Sequence, residues 1–209
     1  MPCWYCGRNK NNMKKSLIVA IIILLSSSLN AQTEEHLKFK GIPINGSLNE
    51  FVSKLKKKGF DSEMEYDSKA TILFGDFAGY RNCKIFVMAG ANGNVKNVGV
   101  NISDNETDWK ILYWQYSNLK NMLTTKYGMP SYSIERFNGL LQPETDNDKI
   151  RYTKRGDCEY ETAWQFENGH IKLLISHMSF NYEEYCYVSL IYVDYQNNEL
   201  DSNSAIDDL

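Results

Sequence analysis

Cysteine and histidine are the residue types in this 209-residue chain with the clearest capacity for chemistry. A nucleophilic pair would need His177 and a nearby thiol, because histidine can act as the base for a cysteine nucleophile. The available thiols are Cys83, Cys158 and Cys186. No family signature surrounds them, and none lies at a predicted helix N-terminus, where a thiolate would be stabilised. The sequence therefore predicts no catalytic residue, and a small envelope hydrolase using such a pair stays an alternative.

The spacing of the same residue types argues against a metal site. His170 and His177 are separated by an odd number of residues, so in one strand they point to opposite faces. Cys3 and Cys6 have Cys-x-x-Cys spacing, but no second pair follows at metal-binding spacing. We predict neither a metal nor a cofactor.

Five cysteines are present, and three of them, Cys83, Cys158 and Cys186, would remain after cleavage of the signal peptide described below. An odd number in an oxidising compartment leaves at least one thiol without a disulfide partner. Cys158 and Cys186 fall near predicted strands, so a disulfide between them is one expectation. Burial of all three cysteines as small apolar side chains is the alternative.

Tyrosines near the C-terminal end form the predicted binding surface. The last predicted strand places on one face the side chains of Tyr185, Tyr187, Ile191, Val193 and Tyr195, and Tyr182 lies just before it. Tyrosine favours recognition because it buries a large area at low entropic cost. The alternative is that these side chains pack beneath helices as part of the core.

A basic cluster, Lys54 with Lys56 to Lys58, closes the first predicted helix. Cations near a helix C-terminus are stabilised by ~0.3–1 kcal/mol each, which explains the cluster without a ligand. Binding of an anionic lipid or polysaccharide is the alternative interpretation.

Residues 13–31 have the form of a secretory signal peptide. Lys14 and Lys15 precede an apolar run, residues 17–25, that is too short to span a ~30 Å hydrocarbon core, and small residues follow. We interpret residues 1–12 as a mis-assigned start and expect the mature chain to begin at Gln32. A lipoprotein would carry cysteine there, so we expect a periplasmic or extracellular protein without a lipid anchor or an integral membrane span.

The mature chain is acidic. Signal cleavage removes four of the 23 basic residues and no acid, which leaves 19 against 26 and a net charge of −7. Nucleic acid is therefore a disfavoured partner. Residues 32–195 are long enough for one domain, and residues 196–209 are predicted to be a disordered acidic tail.

Two amphipathic helices are predicted. Ser47 and Glu50 fit a capping box, and apolar residues at helical spacing follow until Gly59. The second helix runs from about Thr107 to Tyr127, where Gly128 ends it.

Alternating apolar residues predict strands around both helices. The segments are 36–42, 70–103 with a turn at Asn92-Gly93, 132–137, 150–153, 160–175 with a turn at Asn168-Gly169, and 185–195. The order of helix, strands and Asn-Gly hairpin occurs twice, in residues 36–103 and 107–195. We predict an α+β fold of two pseudo-repeated units, each a helix followed by antiparallel strands, packed as one domain.

The segment from Phe39 to Phe51 resembles the start of uncharacterised secreted proteins from Bacteroidales-type bacteria. Gly75 to Gly79 and Trp109 to Pro130 are similar to later landmarks of that group. The tandem layout is also similar to the beta-lactamase inhibitor protein architecture, without a shared functional motif. The resemblance implies an exported α+β protein and no particular activity.

These observations together predict an exported, non-catalytic binding protein of the bacterial envelope that contacts a protein or a glycan. A hydrolase with a Cys/His pair is one alternative. An assembly or scaffold component that offers an unpaired edge strand is another.

Overall fold

The computed structural model describes residues 36–67, 69–102, 106–180 and 183–197. The predicted signal peptide, Tyr182 and residues 198–209 lie outside this part of the chain. The fold is α+β. The helices are α1 (Leu48–Lys56), α2 (Trp109–Tyr127) and α3 (Asp146–Lys154). The strands are β1 (Lys38–Phe39), β2 (Ile42–Pro43), β3 (Asp61–Asp67), β4 (Ala70–Phe77), β5 (Tyr80–Ala89), β6 (Val95–Asn101), β7 (Tyr132–Phe137), β8 (Cys158–Phe166), β9 (Gly169–Phe180) and β10 (Glu183–Asp194).

Eight strands form one antiparallel sheet in the order β3-β4-β5-β6-β10-β9-β8-β7. Strands β3 to β6 are neighbours in sequence, and so are β7 to β10. The two sets meet where β6 pairs with β10, with Val100 opposite Leu190. Strands β1 and β2 form a separate two-stranded sheet.

All three helices lie on one face of the sheet, which we call the covered face. A row of fully buried side chains crosses it from β4 to β9, and its members are Leu73, Ile85, Val100, Leu190 and Leu173. The helices close over this row with buried apolar side chains, such as Phe51 in α1 and Leu119 in α2. The core therefore lies between one face of the sheet and the helices.

Helix α1 begins as the sequence predicts. The Ser47 hydroxyl accepts the Glu50 amide, and the Glu50 carboxylate accepts the Ser47 amide. This capping box satisfies two amides that the first turn leaves without helical partners.

Helix α2 also follows the prediction, with Asp108 as its N-cap and Gly128 at its end. The Tyr116 hydroxyl lies 2.6 Å from the Thr162 hydroxyl of β8, which ties the buried side of the helix to the sheet. The Trp164 indole donates to the Gly128 carbonyl at 3.0 Å and fixes the helix end.

The strand predicted at 150–153 is wrong, because these residues belong to α3. Thr145 and Asp148 form a capping box at its start. Ile150 and Thr153 are buried three residues apart, which matches a helical period. The short apolar pattern fitted both periods, and the cap decides between them.

The N-terminal strand predicted at 36–42 folds as two short strands. Lys40 and Gly41, with φ of 51° and 79°, form the turn that joins β1 to β2. Strand β3 was not predicted, and it forms one edge of the large sheet.

The two Asn-Gly pairs lie in connections between paired strands. Asn92 and Gly93 belong to the five-residue connection of β5 and β6, where the Asn92 side chain accepts the Asn94 amide at 2.9 Å. Between β8 and β9 the two connecting residues are Glu167 and Asn168, and Gly169 is already paired with Phe166.

Asn197, which the sequence analysis assigns to the acidic tail, packs against the domain. Asn197 is buried, and its amide donates to the carbonyls of Ile44 at 2.9 Å and Val95 at 2.7 Å. Asp194 is fully buried and accepts the Leu37 amide at 2.9 Å and contacts the His36 ring at 3.1 Å. These contacts bury the polar residues Asp194 and Asn197, although the composition of the segment indicates exposure to solvent.

Within the described residues, no helix has the length and apolar character needed to cross a membrane.

Candidate binding surface

The second face of the large sheet, which we call the open face, carries no helix in the part of the chain that the structure describes. Because side chains alternate along a strand, each buried residue of the covered face has open-face neighbours. In β5, for example, Ile85 and Val87 are fully buried, whereas Phe86 between them is only half-buried. The open face includes the half-buried side chains of Ile72, Phe74, Phe86, Leu174, Tyr185, Tyr187, Ile191 and Val193.

Strand β10 carries the predicted tyrosines across the centre of the open face. Tyr185 and Tyr187 share this face with Ile191 and Val193, as the alternation predicts, and all four side chains are half-buried. The Tyr185 hydroxyl donates to the Glu183 carboxylate at 2.5 Å. This hydrogen bond is the main cause that raises the pKa of Tyr185, because it favours the protonated phenol.

Tyr195 lies just beyond β10 at the rim of the open face. Its hydroxyl accepts the Gln165 amide at 2.8 Å and lies 2.9 Å from the His170 Nδ1 atom. Burial lowers the pKa of His170, and the nearby Lys172 ammonium lowers it further. Tyr195 is therefore held by polar contacts at the rim.

Two lysines of the open face have neighbours that stabilise their charge. The Lys172 ammonium lies 2.9 Å from the Glu161 carboxylate, and the Lys84 ammonium lies 5.8 Å from the centre of the Phe74 ring. A mixed apolar surface with paired charges suits a weakly charged partner surface better than a strongly charged one.

The thiols and His177 lie at the covered side of the sheet, away from the tyrosines. Cys186 is fully buried and stands directly opposite His177, which is exposed. Burial raises the pKa of the Cys186 thiol to about 11, and burial likewise raises that of Cys158 to about 11. Both thiols are therefore protonated at neutral pH, which opposes their use as nucleophiles.

The structure does not bring Cys158 and Cys186 to bridging distance. Cys158 belongs to β8 and Cys186 to β10, and β9 runs between these strands. Two strand spacings amount to about 9.5 Å, whereas a disulfide needs Cα atoms within about 7 Å. The predicted disulfide is absent from this arrangement, in which no disulfide joins described cysteines.

No group of three or more histidine, cysteine, aspartate or glutamate side chains is placed to hold a metal ion among the described residues. His170 lies on the open face and His177 on the other, as their spacing predicts.

The aromatic residues of β4 and β5 were not predicted as part of the surface. Phe74 and Phe86 lie on the open face with the tyrosines of β10, because β5, β6 and β10 are adjacent in the sheet. Their alternation was visible in the sequence. Which of the two alternating sets faces solvent depends on the side to which the helices pack.

No protein-family model, curated protein or solved structure matches this chain. Its function is therefore inferred from its own residues and their arrangement.

Proposed function

We propose that this chain is an exported, non-catalytic binding protein of the bacterial envelope that contacts a partner protein through its open face. One observation carries the proposal. Tyr185, Tyr187, Ile191 and Val193 lie half-buried at the centre of a sheet face on which no helix packs within the described residues.

The size of the open face supports a protein partner. Eight strands at a spacing of ~4.8 Å give a surface about 34 Å across. A standard interface buries roughly 800 Å² on each partner, which such a surface can supply.

The composition of the open face favours a protein over a glycan. Its rings, such as Phe86 and Tyr187, alternate with aliphatic side chains, such as Ile191. A sugar presents hydroxyl groups that aliphatic side chains cannot bond, so its burial there would cost desolvation. Apolar and aromatic side chains at the centre of a patch are typical of protein interfaces.

The hydrolase alternative has weaker support. It requires a thiolate beside His177, and the neighbouring thiols of Cys158 and Cys186 have pKa values of about 11. Cys186 is also fully buried, so a substrate could not reach its sulfur.

The scaffold alternative depends on the edge strands β3 and β7. Two register shifts interrupt the pairing of β3 with β4. Strand β7 carries Glu135 and Arg136, which form ion pairs with Lys120 and Glu159 at 2.6 Å. Irregular pairing and charged side chains are features that discourage edge-to-edge association.

The proposed duplication gives this surface a simple origin. The first half would supply α1 and the sheet strands β3 to β6, and the second half would supply α2, α3 and the strands β7 to β10. The order of the strands supports such a layout, and α3 has no counterpart in the first half. The likeness to secreted Bacteroidales proteins and to the beta-lactamase inhibitor architecture stays part of the same proposal. In this proposal the two halves share one open face, with β6 and β10 at its centre.

Affinity capture from an envelope extract, with mass spectrometry, tests the proposal. The tagged chain is compared with a variant that carries Tyr187→Glu and Ile191→Glu on the open face. The matched control carries Ile111→Glu and Tyr113→Glu on the exposed side of α2, where both side chains are more than 40% exposed. We expect one near-stoichiometric protein, recovered with the parent chain and the control and lost with the open-face variant.

Three results would contradict this expectation. Recovery of the same protein with the open-face variant would remove the open face from the contact. Recovery of no protein above background would overturn the protein-binding proposal. Light scattering that shows a dimer of the chain, abolished by the same variant, would assign the face to a second copy.

N-terminal sequencing of the exported chain tests its proposed location. We expect a periplasmic or released protein that begins at Gln32. A chain that stays in the cytoplasm with its first 31 residues attached would overturn the envelope location.

A further inference from the structure

A cleft of about 590 Å³ opens at the edge of the large sheet, beside the C-terminal end of α1. Its walls come from segments far apart in sequence, and the side chains that carry the following inference are those of Lys40, Lys58, Asp61, Phe74, Asp76 and Arg81. The volume lies in the range of small-molecule sites. It is larger than a single inorganic anion would fill.

Three cations line this cleft. Within the described residues, Lys40, Lys58 and Arg81 form no ion pair, and Lys40 instead lies 5.6 Å from the centre of the Phe60 ring. The remaining lysines of the basic cluster lie close by in sequence at the end of α1. Positive charges without neutralising partners in a concave site favour an anionic ligand.

Lys40 occupies an unusual backbone position. Lys40 and Gly41 both have positive φ in a two-residue turn, as a type I′ turn requires. Asparagine, aspartate or glycine is preferred in such a turn, because an L side chain is strained in the left-handed region. A lysine there does not improve the turn, but it does place a cation on the cleft wall.

Two carboxylates make the cleft unsuitable for a highly charged anion. Asp61 and Asp76 also line the cleft, and the Asp76 carboxylate accepts a hydrogen bond from the backbone amide of Asn82 at 3.1 Å. Their charge would repel a polyphosphate, whereas their oxygens can accept hydrogen bonds from hydroxyl groups. Phe74 adds an apolar wall.

A second concavity, of about 350 Å³ near the start of α2, shows the contrast. Its lysines, Lys110 and Lys149, lie 3.8 Å and 3.3 Å from the carboxylate of Asp146. The charged side chains of each concavity sum to +1, but both lysines of the second concavity are paired with Asp146, whereas the cations of the cleft beside α1 form no ion pair with a described residue.

We propose that the cleft beside α1 binds an acidic saccharide, a sugar unit that carries a carboxylate or a sulfate. Lys58 and Arg81 bind the anionic group, with Lys40 beside them. Asp61 accepts sugar hydroxyls, and Phe74 packs against an apolar sugar face. Phe74 also belongs to the open face, but the strands β5 and β6 separate it from the tyrosines of β10, and the charged side chains of the cleft take no part in the proposed protein contact.

Isothermal titration calorimetry on the purified full chain tests the site. The probes are trigalacturonate, which carries carboxylates, N-acetylglucosamine 6-sulfate, which carries one sulfate and no carboxylate, and two comparators, maltotriose and inorganic phosphate. We expect one acidic saccharide to bind at least tenfold more tightly than either comparator. The preferred acidic probe identifies the anionic group.

Paired variants locate the binding. Lys58→Ala with Arg81→Ala should weaken affinity for the acidic saccharide at least tenfold. Lys56→Ala with Lys57→Ala removes the same charge from exposed positions outside the cleft and should change affinity less than twofold. The open-face variant with Tyr187→Glu and Ile191→Glu should bind the saccharide as the parent chain does.

Four results would overturn the inference. No heat of binding up to millimolar acidic saccharide would remove the site. Equal affinity for maltotriose would show that the ligand needs no anionic group. Equal affinity for inorganic phosphate would show that the sugar contributes nothing to binding. An equal loss of affinity in the Lys58/Arg81 variant and in the Lys56/Lys57 variant would show a general attraction to positive charge instead of binding in the cleft.

Discussion

The covered and open faces are made by the same eight strands, yet helices of the described part of the chain pack on only one of them. Leu190 on the covered face is fully buried, whereas Ile191 beside it is half-buried on the open face. Each strand therefore supplies both the core and the candidate surface. In β10, a substitution on the covered face should lower the stability of the fold, whereas a substitution at the next position, on the open face, should weaken binding of a partner.

The largest expected effect is on the covered face. Leu190→Ala should lower the free energy of unfolding by about 2–5 kcal/mol, because it removes buried methyl groups and leaves a cavity. Chemical denaturation measures the change. Ile191→Ala is the matched control and should cost about 1 kcal/mol. Equal costs at the two positions would show that both faces are closed.

Burial on the covered face should also slow the chemical modification of the Cys158 thiol. The pKa of Cys158 is about 11 instead of the ordinary 9.0, so its thiolate fraction near pH 8 is lower by about 100-fold. We expect iodoacetamide to modify Cys158 about 100-fold more slowly in the folded chain than in urea, followed by mass spectrometry. Equal rates in the two states would contradict the burial of this side of the sheet.

Alkaline pH should weaken the covered face. Burial raises the pKa of Tyr116 and of Tyr160 to about 12, above the value of 10.0 expected in the unfolded chain. The unfolded state therefore loses these protons first. The stabilisation is complete below pH 10 and falls as pH rises towards 12, by up to ~1.4 kcal/mol per pH unit for each tyrosine and less for the partly solvated Tyr160.

Denaturation from pH 9 to 12 measures this slope. Tyr160→Phe should flatten it, since the variant has one phenol fewer to titrate. An unchanged slope would show that Tyr160 titrates alike in both states.

The smallest expected effect concerns one hydrogen bond beneath α2. Tyr116→Phe should cost about 1 kcal/mol, because it removes the contact with Thr162 at 2.6 Å, while Thr162 keeps its contact with Ser133 at 2.8 Å. Tyr113→Phe on the exposed side of α2 should stay within about 0.5 kcal/mol. A cost at Tyr113 equal to that at Tyr116 would contradict the assignment of the buried side.

Local signals predicted most of the fold. The capping box at Ser47 and the apolar spacing in α2 specify helices through neighbouring residues alone. The segment 150–153 is too short to separate a period of two from one of 3.6, and the capping box of Thr145 and Asp148 is the local signal that distinguishes them. Strand β3 was missed because its sequence, DSEMEYD, contains few apolar residues, as is common at a sheet edge.

The candidate sites were predictable only in part. Alternation along β10 grouped Tyr185 and Tyr187 correctly, since one strand determines that grouping. Whether this group faces helices or solvent depends on tertiary packing. The cleft was not predictable, because Lys40, Lys58 and Arg81 converge only through the pairing of separate strands and the end of α1.

The contacts of Asp194 and Asn197 bring the two ends of the described chain together. His36 and Leu37 bond to the Asp194 carboxylate, and Asn197 bonds to the carbonyl of Ile44. A domain whose ends meet can be inserted into a loop of a host protein without separating the host strands that flank the loop. Grafting residues 36–197 into such a loop would therefore carry both proposed sites on one module.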